Sequence, residues 1–99
     1  MIQIHLRFRC PVERQTELRD FLSRAIPYYE LPGRIRVDLM AVESDPTQFC
    51  EVVTYDSEEA YFADQERVKE DPVMRQLLEE WRSILDGPPD VETLRSVSV

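Results

Sequence analysis

The chain has 99 residues, and its content of 42% hydrophobic and 32% charged residues is typical of a folded domain rather than a disordered segment. The formal net charge of −8 at pH 7 argues against a nucleic-acid partner, because contacts to phosphates need a basic surface. No apolar run is long enough to span a membrane and no signal peptide is recognisable, so we expect one cytoplasmic domain over residues 1–99.

A strand followed by a helix is predicted for the first part of the chain. Apolar residues recur at every second position of residues 2–8, the spacing of a strand with one buried face. The spacing becomes helical over residues 18–26, after Pro11, which fits a first helical turn because its missing N–H needs no partner there. Pro27 is expected to end or kink this helix.

Two further strands are predicted around a turn at residues 44–47, which combine Ser, Asp, Pro and Thr. The strand before the turn, residues 35–41, again alternates apolar and polar positions. The strand after it, residues 49–55, is apolar on both sides. Its pattern therefore leaves open whether the side of Tyr55 or the side of Cys50 is buried.

Helix signals dominate the next part of the chain. Asp56 is predicted as the N-cap of a helix over residues 57–70. Asp71 followed by proline repeats this start signal, so a separate helix is expected there. Gly87 and the two prolines after it end that helix, and residues 91–99 are predicted as a fourth strand.

The order β-α-β-β-α-β predicts an α+β, ferredoxin-like fold with a four-stranded antiparallel sheet and helices on one face. Right-handed crossovers favour the strand order 4-1-3-2. The other face of the sheet, the open face, then carries polar side chains that include His5, Arg7 and Arg36. A partner subunit or a ligand is the natural cover for this face.

Residues 49–64 (FCEVVTYDSEEAYFAD) join a strand that ends in an aromatic residue, an acidic turn and an Ala-containing helix start. With this segment the chain resembles the antibiotic-biosynthesis-monooxygenase-like domains of the dimeric α/β-barrel superfamily, over essentially its whole length. The resemblance implies a homodimer whose open sheet faces form a barrel with a small molecule in its cavity. The chain has Val53, Tyr55 and Asp64 where the family commonly has glutamate, tryptophan and histidine.

Two residues are candidates for catalysis. His5 can move protons or bind an anion on the open face, because histidine is the side chain suited to this role near neutral pH; its alternative role is packing at a dimer interface or one structural hydrogen bond. Glu51 would have a raised pKa and serve as a base if it faces the cavity. If Glu51 faces outward, it is a solvated carboxylate.

Three residues are candidates for ligand binding. Arg7 and Arg36 can hold a carboxylate or enolate oxygen through charge-assisted hydrogen bonds, and ion pairs with neighbouring acidic residues are the alternative. Tyr55 offers a hydroxyl on an apolar ring, which suits an aromatic ligand, and packing in the core is its alternative.

The sequence has no glycine-rich phosphate loop and no metal-ligand spacing, so neither a cofactor nor a metal is expected. Cys10 and Cys50 are expected to be reduced thiols. Two functions stay open. The resemblance implies a small-molecule-binding dimer that oxidises or isomerises its ligand without a cofactor, and the alternative is a non-catalytic metabolite-binding or structural dimer.

Overall fold

A computed structural model describes residues 1–99 and confirms the predicted order of elements, with the second crossover divided into two helices. A short 3-10 turn over Val12–Arg14 precedes the first helix. The elements in chain order are β1 (Ile2–Arg9), α1 (Gln15–Tyr29), β2 (Ile35–Ala41), β3 (Gln48–Tyr55), α2 (Glu58–Glu70), α3 (Pro72–Ile84) and β4 (Asp90–Arg95).

The four strands form one antiparallel sheet in the order β2-β3-β1-β4, which confirms the predicted order. Strand β1 pairs with β3 so that Ile2 lies opposite Tyr55 and Leu6 lies opposite Glu51. Residues directly opposite each other in an antiparallel pair project from the same face. The pairing therefore decides what the pattern of β3 left open: Glu51 and Tyr55 lie on the same face as the apolar residues of β1.

The helices cover this apolar face and form the core with it. Helix α1 buries Leu18, Phe21, Leu22 and Ala25, the stripe that its helical spacing predicts. The stripe of α3 buries Met74, Trp81 and Ile84 in the same core. Aromatic rings join the two layers, because Phe8 of β1 stacks on Phe49 of β3 at 5.7 Å and meets Trp81 edge-on at 5.4 Å.

The predicted cap of α2 is wrong by one residue. Ser57 is the N-cap, in extended backbone geometry, and its hydroxyl accepts a hydrogen bond from the Ala60 N–H at 3.1 Å. Asp56 instead pairs with Arg34, whose Nε lies 2.9 Å from the Asp56 carboxylate. The predicted cap of α3 is confirmed, because the Asp71 carboxylate accepts from the Val73 N–H at 2.9 Å.

Two predicted boundaries are also wrong. Pro27 does not end helix α1, which continues to Tyr29 although the missing proline N–H costs it one backbone hydrogen bond. Strand β4 ends at Arg95 rather than at residue 99, because its pairing with β1 runs out at Ile2. None of the helices combines the length and apolarity that a membrane span requires.

Candidate functional site

A cavity of about 310 Å³ lies between the helix-covered face of the sheet and the helices. This is at the low end of the volumes of small-molecule sites in proteins. Its walls are mostly apolar and come from the sheet and all three helices. Examples are Ile4, Leu6, Val37, Val53, Val68 and Leu78. The cavity suits the apolar part of a small organic molecule.

Glu51 is the polar group that stands out in this apolar wall. Its side chain projects from the middle of β3 towards the helices, as does that of Leu6, which lies opposite it on β1. Glu51 is only 5% exposed. The carboxylate has neither a hydrogen-bond nor an ion-pair partner, and burial alone raises its pKa from 4.5 to about 7. A carboxyl with this pKa exchanges protons near neutral pH, as a general base must.

Tyr29, the last residue of α1, lines the same cavity and is buried. Its hydroxyl has no hydrogen-bond partner in the protein, and its pKa is raised, first by burial and then by the negative charge of Glu51. The sequence predicts Tyr28 and Tyr29 in the connection to β2, either as a packed linker or as a lid at the cavity mouth, and Tyr29 is not among the predicted site residues. A usable signal was present, because Tyr29 continues the buried stripe of Leu18, Leu22 and Ala25 at helical spacing.

Tyr55 and Asp64 form a buried pair at the cavity wall. The Tyr55 hydroxyl donates to Asp64 Oδ2 at 2.5 Å, and the two residues are 2% and 6% exposed. Burial and this hydrogen bond raise the pKa of Tyr55. The Tyr55 ring therefore faces the cavity while its hydroxyl donates to Asp64, a partner that was not predicted from the sequence.

Trp81 lines the cavity from α3. It is 2% exposed, as expected for a core residue, and its indole N–H has no hydrogen-bond partner. A buried donor without a partner costs about 1 to 3 kcal/mol, and such groups are rare in folded proteins. Because Trp81 is the only tryptophan, its fluorescence reports on this region of the protein.

The structure divides the predicted site residues between the two faces of the sheet. Glu51 and Tyr55 meet at the cavity, whereas His5, Arg7 and Arg36 lie on the open face. Each of these three already has a partner there. His5 Nε2–H donates to Gln3 Oε1 at 3.0 Å, Arg7 pairs with Glu92 at 3.2 Å, and Arg36 pairs with Asp38 at 2.9 Å.

The structure therefore has an apolar cavity with one unpaired carboxyl, that of Glu51, and one unpaired phenol, that of Tyr29. No group of three or more His, Cys, Asp or Glu side chains is arranged to hold a metal ion. Cys10 and Cys50 are free thiols, and Cys10 is completely buried.

No family model matches the sequence, and no curated protein matches it either. Solved structures do match. SnoaB, a cofactor-independent oxygenase from Streptomyces nogalater, has a TM-score of 0.78 at 9% identity, with 99% of this chain and 94% of that chain covered. Rv0793 from Mycobacterium tuberculosis has a TM-score of 0.75 at 16% identity, with 99% and 96% covered.

A further structure, of an antibiotic biosynthesis monooxygenase, has a TM-score of 0.76 at 11% identity, with 99% of this chain and 100% of that chain covered. At such low identities the likeness shows the fold alone. The protein thus has the ferredoxin-like fold of the antibiotic biosynthesis monooxygenase structures, which confirms the expected fold.

Proposed function

We propose that the protein binds a small, largely apolar organic molecule in the cavity and that Glu51 removes a proton from it. The observation that carries this proposal is the Glu51 carboxyl, which is buried in an apolar wall without any partner. An unpaired buried carboxyl costs stability, and perturbed carboxyls in clefts are a recurrent feature of active sites. The ligand would supply the polar group that Glu51 lacks.

We propose a phenol or a related enol as the ligand. Its O–H would donate to Glu51, and its ring would lie against the apolar wall. A carboxylate deep in the cavity is disfavoured because Glu51 and Asp64 line it, and the single cation of its lining, Arg82, is an exposed residue. Arg7 and Arg36 lie on the other face in ion pairs.

The reaction proposed for this site is a monooxygenation without a cofactor. Glu51 takes the phenolic proton, and the electron-rich phenolate reacts with O2 at a free ring carbon. Loss of water from the resulting peroxide gives a quinone. One phenol and one O2 thus yield one quinone and one water, so the substrate supplies every electron. The shared fold with SnoaB, an oxygenase that needs no cofactor, supports this assignment.

Oxygen uptake tests the proposal. Wild-type protein is incubated in air with a panel of naphthols and hydroquinones and no added cofactor, while an oxygen electrode and product absorbance are followed. We expect uptake that rises with pH around the pKa of Glu51 and that falls at least about a hundredfold in Glu51→Gln. Glu79→Gln, an exposed position on α3, is the matched control and retains the activity.

Two other outcomes would change the proposed reaction. Turnover without oxygen uptake would replace oxygenation with isomerisation, in which Glu51 returns the proton to another atom. Equal rates for wild type and Glu51→Gln would remove Glu51 from the chemistry.

Non-catalytic binding of a metabolite is the second candidate. It is favoured by the pairing of Tyr55 with Asp64, which leaves Glu51 as the cavity's one unpaired carboxyl, without a second acid beside it. Calorimetric binding of a naphthol together with no turnover would select this candidate over the oxygenase.

We also propose a homodimer in which the open sheet faces of two subunits meet. The open face exposes Met40 and Leu94, which is costly in water and favours coverage by a second copy. The free thiols of Cys10 and Cys50 support a reducing compartment such as the cytoplasm.

A further inference from the structure

Arg67 of α2 connects the ends of all three helices beside the cavity. Its guanidinium donates to the backbone carbonyls of Tyr28 and Tyr29, the latter at 3.0 Å. It also lies 3.4 Å from the Asp64 carboxylate and 3.9 Å from the Asp71 carboxylate. Because the side chain is only 15% exposed, these contacts are shielded from water.

The carbonyl contacts matter because the last carbonyls of a helix have no partner inside the helix. Tyr28 and Tyr29 are the last two residues of α1. Arg67 is the donor to the Tyr29 carbonyl, and it shares the Tyr28 carbonyl with the Leu31 N–H, whose nitrogen lies 3.2 Å from it. Its guanidinium also stacks over the Tyr28 ring at 4.7 Å, and the Tyr28 hydroxyl bonds to Asp71. The carboxyl end of α1 is thereby tied to both α2 and α3.

The tied segment carries a cavity residue. The Tyr29 carbonyl accepts from Arg67, while the Tyr29 side chain lines the same cavity as Glu51 and has no hydrogen bond of its own. The side chain is therefore held in the cavity through its backbone, by Arg67, and by packing.

We propose that Arg67 is a positioning residue that keeps the phenol of Tyr29 in the cavity, available as a second hydrogen-bonding group for the ligand that Glu51 binds. Only the ligand-binding part of this inference rests on the proposed function. Arginine suits this task because its planar guanidinium donates to two carbonyls together, whereas a lysine ammonium is a point charge without that geometry.

The titration of Tyr29 tests the positioning. In wild-type protein with ¹³C-labelled tyrosine, we expect the Tyr29 signal to remain that of the neutral phenol at about pH 11, above the ordinary tyrosine pKa of about 10. In Arg67→Lys the ring is released towards water, so its signal should titrate near the ordinary value. Tyr29→Phe assigns the signal.

Arg75→Lys is the matched control. Arg75 also donates to a carbonyl at a helix end, that of Lys69 at 3.0 Å, but it is exposed and its side chain makes no hydrogen bond to α1. We expect Tyr29 to behave in this control as it does in the wild type. If Arg67→Lys gives no dispersed spectrum, the same measurement is made on Arg67→Gln, which retains a donor for one carbonyl.

The effect on binding is measured by calorimetry with 1-naphthol as the probe. We expect Arg67→Lys to bind about tenfold more weakly, equivalent to the loss of one hydrogen bond, and to have no further effect in the Tyr29→Phe background. A Tyr29 signal unchanged by Arg67→Lys would overturn the positioning role. An equal loss of affinity in both backgrounds would overturn the link through Tyr29. A wild type that binds no 1-naphthol contradicts the proposed phenol ligand, while the Tyr29 titration still decides the role of Arg67.

Discussion

At the scale of single residues, Glu51 links stability to pH. Burial raises the pKa of its carboxyl from 4.5 to about 7, so the folded protein retains a proton that the unfolded chain releases at lower pH. The stability contributed by the neutral carboxyl is therefore fully present below about pH 4.5 and is lost as the pH rises to about 7.

We expect Glu51→Gln to be more stable than the wild type by about 2 kcal/mol at about pH 8, with a smaller difference at about pH 5. The reason is that glutamine cannot ionise in the apolar wall. Denaturant unfolding at the two pH values measures this difference, with the exposed Glu79→Gln as control. If the stability difference between Glu51→Gln and the wild type is the same at both pH values, the Glu51 carboxyl of the folded protein does not ionise between them.

At the scale of secondary-structure elements, the start of α2 depends on Ser57. The backbone of Ser57 is extended and its hydroxyl bonds the Ala60 N–H, whereas the neighbouring Asp56 uses its carboxylate for an exposed ion pair with Arg34. A serine cap is typically worth about 1 kcal/mol, and an exposed ion pair is worth less.

We therefore expect Ser57→Ala to lower the free energy of unfolding by about 1 kcal/mol, and Asp56→Ala to lower it by a smaller amount. Urea unfolding of the two variants beside the wild type provides the measurement. The reverse ranking would assign the cap to Asp56, as the capping pattern of the sequence had predicted.

At the scale of the whole molecule, the helices cover only one face of the sheet. The other face presents Met40 at 55% and Leu94 at 40% exposure among polar and ion-paired side chains. Strand β4 adds to the exposed surface of the sheet, because it is an edge strand that pairs only with β1 and all six of its residues are exposed. A second subunit on the open face would remove this apolar surface from water.

We expect native mass spectrometry to show a dimer for the wild type and mainly a monomer for Met40→Glu, because the new carboxylate would be buried at the interface. Val73→Glu, which introduces the same charge on the exposed surface of α3, should remain dimeric. A monomeric wild type would contradict the barrel arrangement. It would also exclude packing at a dimer interface as the role of His5.

Much of the fold could be predicted because regular spacing encodes which face of an element is buried. The alternation over residues 2–8 and the stripes of α1 and α3 needed only local rules, and the structure confirms them. The N-cap of α2 was harder to predict, because Asp56 and Ser57 are both residue types that cap helices. Asp56 forms an ion pair with Arg34, a residue distant in the sequence, and Ser57 is the cap. The site residues were the hardest to predict, because they come from separate elements that meet only in the folded chain.

The sequence by itself determined the sheet, its strand order and the residue types suited to proton transfer, because hydrophobic periods and chain connections are local properties. Only the tertiary structure decided which of those residues share a site. The pattern of β3 is apolar on both sides, and its pairing with β1 turned Glu51 towards the helices. That pairing separated Glu51 from His5, and the end of α1 brought Tyr29 into the cavity, because burial and contact depend on which segments pack together.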